Sequence, residues 1–155
     1  MSFFIFIPMK EELLQLHIQM LQDKIDAFQG RVEALAEDAQ NDAKSSAGDK
    51  HETALSMMHL EQEKLSAKIQ EYISQKTEIS RIDVSLKSEK IILGSLVQAN
   101  NLWFFLSAAL PKVTIQGKTI YALSIHSPLG SLLFGKKVND QVEVNGLVYK
   151  IQDIQ

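Results

Sequence analysis

The first half of the chain carries its apolar residues at the spacing of a coiled coil. Two series, at residues 14–39 and 55–72, advance by alternating steps of three and four residues. That spacing places one apolar stripe along a helix. It predicts two long helices, the first over about residues 10–43. The first series is Leu14, Ile18, Leu21, Ile25, Phe28, Val32, Leu35 and Ala39.

A short polar turn separates the two series. Residues 44–49 read Lys-Ser-Ser-Ala-Gly-Asp, which are small or turn-forming side chains. Folding the chain back near Ala47 aligns the two stripes, and Phe28 then lies opposite Leu65. The matching register predicts an intramolecular antiparallel coiled coil with an acidic tip near residues 44–54.

After residue 76 the pattern changes to that of short strands. Brief apolar runs are separated by polar or glycine-containing turns. Asn145-Gly146 supplies the two positive φ angles that a type I′ hairpin turn requires. The predicted strands lie at 91–97, 102–106, 113–115, 119–123, and on both sides of Asn145-Gly146.

One short helix interrupts the predicted strands. Ser127 is a suitable N-cap, Pro128 suits the first helical position, and Gly135 suits the position after the end. The predicted fold class is therefore α+β: a long antiparallel helical hairpin over residues 9–76, followed by a small, mostly antiparallel β domain with one short helix over residues 77–155.

Residues 1–8 form an apolar opening, Met-Ser-Phe-Phe-Ile-Phe-Ile-Pro, before the first helical pattern. The apolar run is too short to span a bilayer, which takes roughly 20 residues. Met9 opens the helical pattern directly. We therefore expect residues 1–8 to be a non-native extension with Met9 as the natural start, and we expect no membrane contact; a short edge strand or an apolar anchor for a partner is the alternative.

Composition and charge exclude several classes of function. The sequence contains no cysteine, which excludes disulfides, thiolate metal sites and a cysteine nucleophile, and agrees with a cytoplasmic location. A cut after Lys76 leaves 8 basic and 13 acidic residues before it, and 8 basic and 6 acidic after it. A helical half with a net charge of −5 is a poor ligand for phosphates, so independent, sequence-specific DNA binding is not expected.

Two apparent chemical motifs are better explained by structure. Residues 130–137 nearly match a phosphate-binding loop, but Lys137 replaces the required hydroxyl and the interior is apolar. The histidines, at positions 17, 51, 59 and 126, lack the spacing of a metal pair, and the sequence predicts solvated helix histidines.

The tip offers a pair of carboxylates. Asp49 and Glu52 are three residues apart at the start of the second helix, so both can project from one face. The same spacing suits an N-cap with an acidic residue at the third helical position. From spacing alone, the capping function is the simpler interpretation.

The chain as a whole resembles the GreA/GreB family of bacterial transcription elongation factors. Residues 49–54, Asp-Lys-His-Glu-Thr-Ala, are similar to the D-x-x-E-N-A tip of that family, and Gly48 matches the preceding glycine. Residues 127–130, Ser-Pro-Leu-Gly, and 133–144 resemble its C-terminal motif, S-P-[IL]-[GA] followed by L-[LI]-G-K-K-x-G-D-x-V-x-V. Residues 94–97, Gly-Ser-Leu-Val, resemble its G-S-x-V strand.

The resemblance implies an RNA polymerase partner. It implies an FKBP-like C-terminal domain that docks at the rim of the polymerase secondary channel while the hairpin enters the channel. Asp49 and Glu52 would then help hold a Mg²⁺ shared with the polymerase, meeting the nascent RNA 3′ end only indirectly. The protein would be a monomeric cofactor of the polymerase's nuclease activity, binding no metal stably alone. The residues implied in docking are Ser127, Pro128, Leu129, Gly130, Lys136 and Lys137.

Three alternatives remain open. Thr53, Leu55 and Ser56 depart from the family pattern after the tip glutamate, which favours a secondary-channel regulator that does not promote cleavage. A coiled-coil adaptor unrelated to transcription would use the tip carboxylates only as caps. Prolyl isomerisation by the C-terminal domain would need an apolar pocket, with Trp103, Phe104 or Tyr121 as its lining.

Overall fold

A computed structural model of the chain contains two long helices followed by a six-stranded sheet with one short helix. It describes residues 7–45 and 49–155, and the side chains of residues 42–51 lie outside the described part. This arrangement confirms the predicted α+β class. The elements are α1 (Met9–Ser45), α2 (Asp49–Ser80), β1 (Leu96–Ala99), β2 (Leu102–Ser107), β3 (Val113–Ile115), β4 (Lys118–Ser124), α3 (Pro128–Leu133), β5 (Gln141–Val144) and β6 (Leu147–Ile154).

The chain divides into two compact units. One is Met20–Thr77, which holds most of α1 and α2. The other combines the chain up to Gln19 with Glu78–Gln155 and contains the whole sheet. Helix α1 therefore contributes its first turns to the sheet unit and the rest of its length to the hairpin unit.

The hairpin unit buries the residues that the heptad pattern places on its stripe. Leu21, Ile25, Leu65 and Ile69 are each at most 8% exposed. Along α1 and α2 the neighbouring positions are mostly exposed. Burial of an aliphatic side chain stabilises by about 1.5–3 kcal/mol, so this stripe is the main stabilising feature of the unit.

An aromatic pair joins the two long helices away from the predicted partner. The Phe28 ring stacks on the Tyr72 ring with centroids 5.5 Å apart and planes 6° apart, whereas the register predicts Leu65 opposite Phe28. Side chains on a helix lean toward its own N-terminus. In an antiparallel pair Phe28 and Tyr72 therefore lean toward each other, which lets two long rings meet across an offset in register.

The sheet has the strand order β3-β4-β2-β1-β6-β5. Every neighbouring pair is antiparallel except β2 and β4, which run parallel. The predicted turn at Asn145 and Gly146 is present, with φ of 52° and 80°. Asn100 and Asn101 form a second such turn between β1 and β2, with φ of 51° and 63°.

The apolar run at 91–97 is a strand only at its end. Strand β1 begins at Leu96, and Ile91 instead lies in a loop, where it is fully buried. The Ile91 amide donates to the Lys136 carbonyl at 2.8 Å, and the Ile91 carbonyl accepts from the Gly135 amide at 2.8 Å. Gly94, with φ of +90°, turns the chain between this loop and the strand. The run is apolar because its loop is buried, not because all of it is paired in the sheet.

The two faces of the sheet bury separate clusters. Alternate residues of β2 point to opposite faces, so Phe105 joins one cluster and Leu106 the other. The Leu106 cluster is covered by Leu133 of α3. The Phe105 cluster is covered by Leu13 of α1, with Met9 and Leu14 packed against it. The start of α1 thus serves as a layer of the sheet unit.

His17 lies within this second layer, contrary to the prediction of a solvated helix histidine. Its side chain is 0% exposed, its ring lies 5.4 Å from the Phe105 ring, and its Nδ1 is 2.6 Å from the Ser107 hydroxyl. Nε2 has no hydrogen-bond partner among the residues the structure describes. The prediction for His17 is wrong because the first turns of α1 do not face solvent on this side. They pack on the sheet.

Residues 7 and 8 are the only part of the apolar opening within the described range. The Pro8 carbonyl accepts from the Glu12 amide at 3.1 Å, so it begins the hydrogen-bond ladder of α1. Ile7 is 41% exposed, and its carbonyl accepts from the Gln116 side-chain amide at 3.4 Å. Residues 1–6 lie outside the described range, so the expected non-native extension stays a prediction. No helix in the described ranges is both long enough and apolar enough to cross a bilayer.

The burial of His17 predicts acid-sensitive stability. Burial lowers the pKa of His17 to about 4, whereas an unfolded histidine titrates near its ordinary value of about 6.5. Between about pH 4 and pH 6.5, the unfolded chain therefore binds a proton at His17 that the folded chain does not bind. The His17 contribution to the free energy of unfolding should be full above about pH 6.5 and should be lost as the pH falls toward about 4, by up to about 3 kcal/mol.

The measurement is urea unfolding at about pH 7 and about pH 4.5, followed by fluorescence of Trp103, the chain's one tryptophan, which lies in the sheet unit. His17→Gln should lose less stability between the two pH values than the unmodified protein. His59→Gln, at an exposed position, should behave as the unmodified protein does. Equal pH dependence for all three proteins would contradict the assignment.

Candidate functional site

The acidic tip is described only in part. The backbone is helical from Asp49 onward, so both predicted carboxylates belong to the first turn of α2. Glu52 is exposed. The side chain of Asp49 lies outside the described part, so its convergence with Glu52 stays a prediction.

The hairpin residues that flank the tip carry charge of one sign. Residues 32–41 of α1 and 52–63 of α2 together contain six acidic residues and no lysine or arginine. These two stretches repel phosphates and attract cations or basic protein surfaces, while the tip between them adds two lysines, Lys44 and Lys50, and two aspartates, Asp42 and Asp49. The acidic residues are Glu33, Glu37, Asp38, Glu52, Glu61 and Glu63.

Magnesium is the ion whose preferences suit these side chains. Mg²⁺ takes oxygen ligands, keeps several waters and is often bound through one or two carboxylates together with groups from elsewhere. Glu52 offers an exposed carboxylate, and Asp49 would add a second. In the described part of the chain, no three His, Asp or Glu side chains are grouped so as to hold a metal ion. A complete Mg²⁺ site would need ligands beyond these two carboxylates.

The second candidate site, residues 127–137, begins with a tightly packed helix start. The Ser127 hydroxyl donates to the Ser124 carbonyl at 2.7 Å and accepts from the Gly130 amide at 3.0 Å. A Cβ on Gly130 would lie 1.9 Å from that same carbonyl oxygen, so only glycine is tolerated without a backbone shift. Leu129 packs against the Leu133 side of the core. The Ser-Pro-Leu-Gly motif therefore has a structural role that does not require a partner.

The solvent-facing groups of this site lie on either side of the buried glycine. Pro128, Lys136 and Lys137 are exposed, together with the apolar side chains of Leu132 (43%) and Phe134 (47%). Their backbone is fixed, since Gly135 and Lys136 are bonded to the Ile91 loop. The Lys137 amide also donates to the Asp140 carboxylate at 2.8 Å. A rigid support thus presents apolar and basic side chains together.

Two alternative chemical sites can be compared with the structure. Of the residues that resemble a phosphate-binding loop, 130–133 lie in the predicted helix, α3, where Leu133 is completely buried, and 134–137 follow its end. Trp103 and Phe104 are consecutive in β2 and therefore face opposite sides of the sheet. Phe104 contacts Tyr121 and Tyr149 by ring packing, while Trp103 packs in the other cluster beneath the Lys118 ammonium. The three aromatic residues of the isomerase alternative do not share one pocket.

The remaining histidines do not add a site. His126 is exposed and lies 3.6 Å from the Glu78 carboxylate. His59 is exposed on α2, and the side chain of His51 is outside the described part. The prediction of a solvated helix histidine is confirmed for His59, whereas His126 is exposed but lies in the turn between β4 and α3.

This chain is distantly similar in structure to a known protein. No protein-family model matches it, and no curated protein sequence matches it. It is similar to a solved structure described as "Structure of the transcription factor Gfh1", with 21% identity, a TM-score of 0.34, and coverage of 88% of this chain and 92% of that chain. A likeness at this level does not assign a function.

The close approach at Gly130 predicts an intolerant position. Gly130→Ala should lower the stability of the sheet unit by about 2 kcal/mol or more, because the new methyl group must displace the Ser124 carbonyl. Ser127→Ala should cost about 1 kcal/mol through loss of the cap. Urea unfolding followed by Trp103 fluorescence measures both losses.

The control is the same chemical change in open space. Gly30 lies in the interior of α1, and a methyl group attached to its Cα would meet nothing within 4 Å, so Gly30→Ala should be neutral or stabilise its helix by up to about 1 kcal/mol. If Gly130→Ala and Gly30→Ala have the same effect, the packing explanation of the motif is wrong.

Proposed function

We propose that this protein is a transcription factor that binds RNA polymerase, enters its secondary channel with the hairpin tip, and promotes cleavage of backtracked RNA. Support comes from the resemblance at residues 49–54 and 127–144 to the GreA/GreB family, together with a described fold of two long helices and a sheet domain. The protein acts as a cofactor of the polymerase's own nuclease and not as an enzyme by itself.

The observation that carries the proposal is the exposed Glu52 carboxylate in the first turn of α2, within a hairpin end that has no lysine or arginine in its flanking stretches. An N-cap alone would require one or two acidic side chains at the helix start. It would not require residues 32–41 and 52–63 to lack lysine and arginine. A surface of this kind is suited to a site where a cation is supplied by the partner.

The mechanism assigns separate tasks to the chain's own groups. Asp49 and Glu52 would supply carboxylate oxygens to a Mg²⁺ shared with the polymerase, and Glu52 would also accept a hydrogen bond from the attacking water. When bound, such an ion lowers the pKa of a coordinated water and stabilises charge on a phosphoryl oxygen. Because two carboxylates cannot complete the coordination alone, the activity arises only inside the partner.

Docking is assigned to the C-terminal domain. Pro128, Lys136 and Lys137 are exposed on a backbone held by Ser127, Gly130 and the Ile91 loop. Leu132 and Phe134 add apolar area beside the two lysines. Apolar contact with a basic border is suited to an acidic, partly apolar surface on the rim of the channel. The factor acts as a monomer in the cytoplasm.

One observation favours a second candidate function, a regulator that occupies the same channel without promoting cleavage. Thr53, Leu55 and Ser56 replace the residues that follow the tip glutamate in the family. Leu55 is a half-buried apolar side chain, so it offers no carboxylate or hydrogen-bonding group to the active site of the polymerase. If the unmodified protein binds polymerase and alters elongation without cleaving RNA, this second function is the correct one.

Removing both tip carboxylates should separate activity from binding. Asp49→Ala with Glu52→Ala should abolish transcript cleavage in a stalled elongation complex, a loss of about a hundredfold or more, because each group acts on developing charge in a desolvated site. The fold should lose only about 1 kcal/mol for a cap and a first-turn acid. The variant should still compete with the unmodified protein for polymerase.

The matched control removes two carboxylates elsewhere on the hairpin. Asp26 and Glu71 are exposed and form only surface contacts, with Gln22 and Lys68 respectively. Asp26→Ala with Glu71→Ala should keep full cleavage activity. Parallel loss of helicity, binding and activity in the tip variant would show that its carboxylates are structural caps.

Charge reversal should test the docking surface independently. Lys136→Glu with Lys137→Glu should weaken polymerase binding by about tenfold or more, since two rim charges would change from attraction to repulsion. Lys112→Glu with Lys150→Glu makes the same charge change at other exposed positions of the sheet domain and should have a much smaller effect. Competition between labelled and unlabelled protein for core polymerase measures both, and equal effects would place docking elsewhere.

A further inference from the structure

An apolar groove lies between the two helices of the hairpin unit, toward the tip. It encloses about 350 Å³ and lies between Leu35 and Ala39 of α1 and Ala54, Leu55 and Met58 of α2. Its lining is predominantly apolar. This volume is within the range of pockets that receive a ligand or a few side chains.

The groove exists because the coiled-coil seam is incompletely filled there. Nearer the base, Leu21, Ile25, Leu65 and Ile69 fill the seam and are at most 8% exposed. Toward the tip, the last seam residue of α1 is the small Ala39, and the seam residues Leu35 and Met58 are only half-buried. A coiled coil selected only for its own stability would fill this space, because unfilled apolar space costs stability.

Beside the groove, α2 presents a methionine to solvent. Met57 lines the groove and is 66% exposed. Methionine is flexible and polarisable and is suited to surfaces that adapt to a partner. The groove and Met57 together form a continuous apolar surface on the hairpin.

The border of the groove is acidic. Asp38 and Glu61 belong to its lining, and the flanking stretches 32–41 and 52–63 contain no lysine or arginine. Glu61 lies 3.8 Å from the Arg31 guanidinium, but both side chains are substantially exposed, and such a pair is worth little. With Arg31 and Lys64 at the ends of these stretches included, acidic residues outnumber basic ones six to two, so the groove lies in a region of net negative charge.

We propose that this groove receives an apolar side chain of a basic segment of RNA polymerase. The apolar lining requires an apolar occupant, and the acidic border favours lysine or arginine beside it. Nucleic acid is repelled by the same carboxylates. A second copy of this chain would place two acidic hairpin ends together, so self-association through this surface is disfavoured.

This inference rests on the proposed function for the identity of the partner. It adds a contact that involves neither the tip carboxylates nor the C-terminal domain. An anchored groove holds the last turns of the hairpin against the channel wall and so fixes the position of the first turn of α2. Groove contacts then determine how deep and in which orientation Glu52 is presented.

The test compares two equally exposed apolar residues on α2. Met57 lines the groove, whereas Leu60, at 59% exposure, does not. Met57→Gln should lower the affinity of the full-length protein for core RNA polymerase by about tenfold, and Leu60→Gln by less than about twofold. Glutamine favours helix about as well as the residues replaced, so circular dichroism should be unchanged.

A second pair of variants tests the charge. Asp38→Asn, at the groove, should weaken binding and make it less dependent on salt, whereas Asp26→Asn, farther along α1, should do neither. A photo-crosslinking residue at position 57 should attach to a polymerase peptide that contains lysine or arginine. The same residue at position 60 should attach weakly.

The outcomes separate the two proposals. If the unmodified protein binds polymerase but Met57→Gln and Leu60→Gln bind equally well, the groove inference is overturned and the proposed function stands. If the unmodified protein does not bind polymerase, the proposed function fails and the groove loses its partner. A dimer in sedimentation that Met57→Gln dissociates would assign the groove to a second copy and would also overturn the inference.

Discussion

The contact on which the sheet unit most depends is the burial of the first turns of α1 against strand β2. Leu13 is fully buried in the cluster that contains Phe105, and His17 lies one turn further on, beside Ser107. This face of the sheet is covered by the first turns of α1, a helix whose remaining length belongs to the hairpin unit. A chain that began at Glu78 would expose Phe105 and the apolar residues around it.

The same contact buries a polar residue, His17, at a cost in stability. A neutral histidine with one unpaired ring nitrogen is an unfavourable core residue, since an unsatisfied buried polar atom costs about 1–3 kcal/mol. The hydrogen bond to Ser107 and the packing on Phe105 offset part of that cost. What selects this pair over two apolar residues is not explained by the geometry. Its physical consequence is that the cover of the sheet is sensitive to acid.

Sequence patterns predicted the elements whose causes are local. The heptad stripe located the buried Leu21 and Ile69, and Asn145-Gly146 located the hairpin turn, because spacing and positive φ are properties of short stretches. The patterns failed where burial depends on distant partners. His17 and the loop at Ile91 are buried by elements roughly 45 to 90 residues away. The apolar run at Ile91 indicated burial but not a loop, and nothing in the neighbourhood of His17 indicated that it is buried.

The candidate sites also combine features that local packing explains with features that it does not explain. Ser127 and Gly130 were predicted from a motif as partner-binding residues, and the structure gives each a packing reason of its own. The motif can therefore be explained by the helix start that it shapes, and the proposed recognition is assigned to the exposed side chains that this start supports, such as Lys136 and Lys137. In the hairpin, the contrast is between a well-packed base and a loosely packed end. Large seam residues fill the base of the hairpin, whereas the small Ala39 and the half-buried Leu35 and Met58 leave an apolar groove toward its end. On the proposed function, the tightly packed base holds the shape of the hairpin and the loosely packed end contacts the partner.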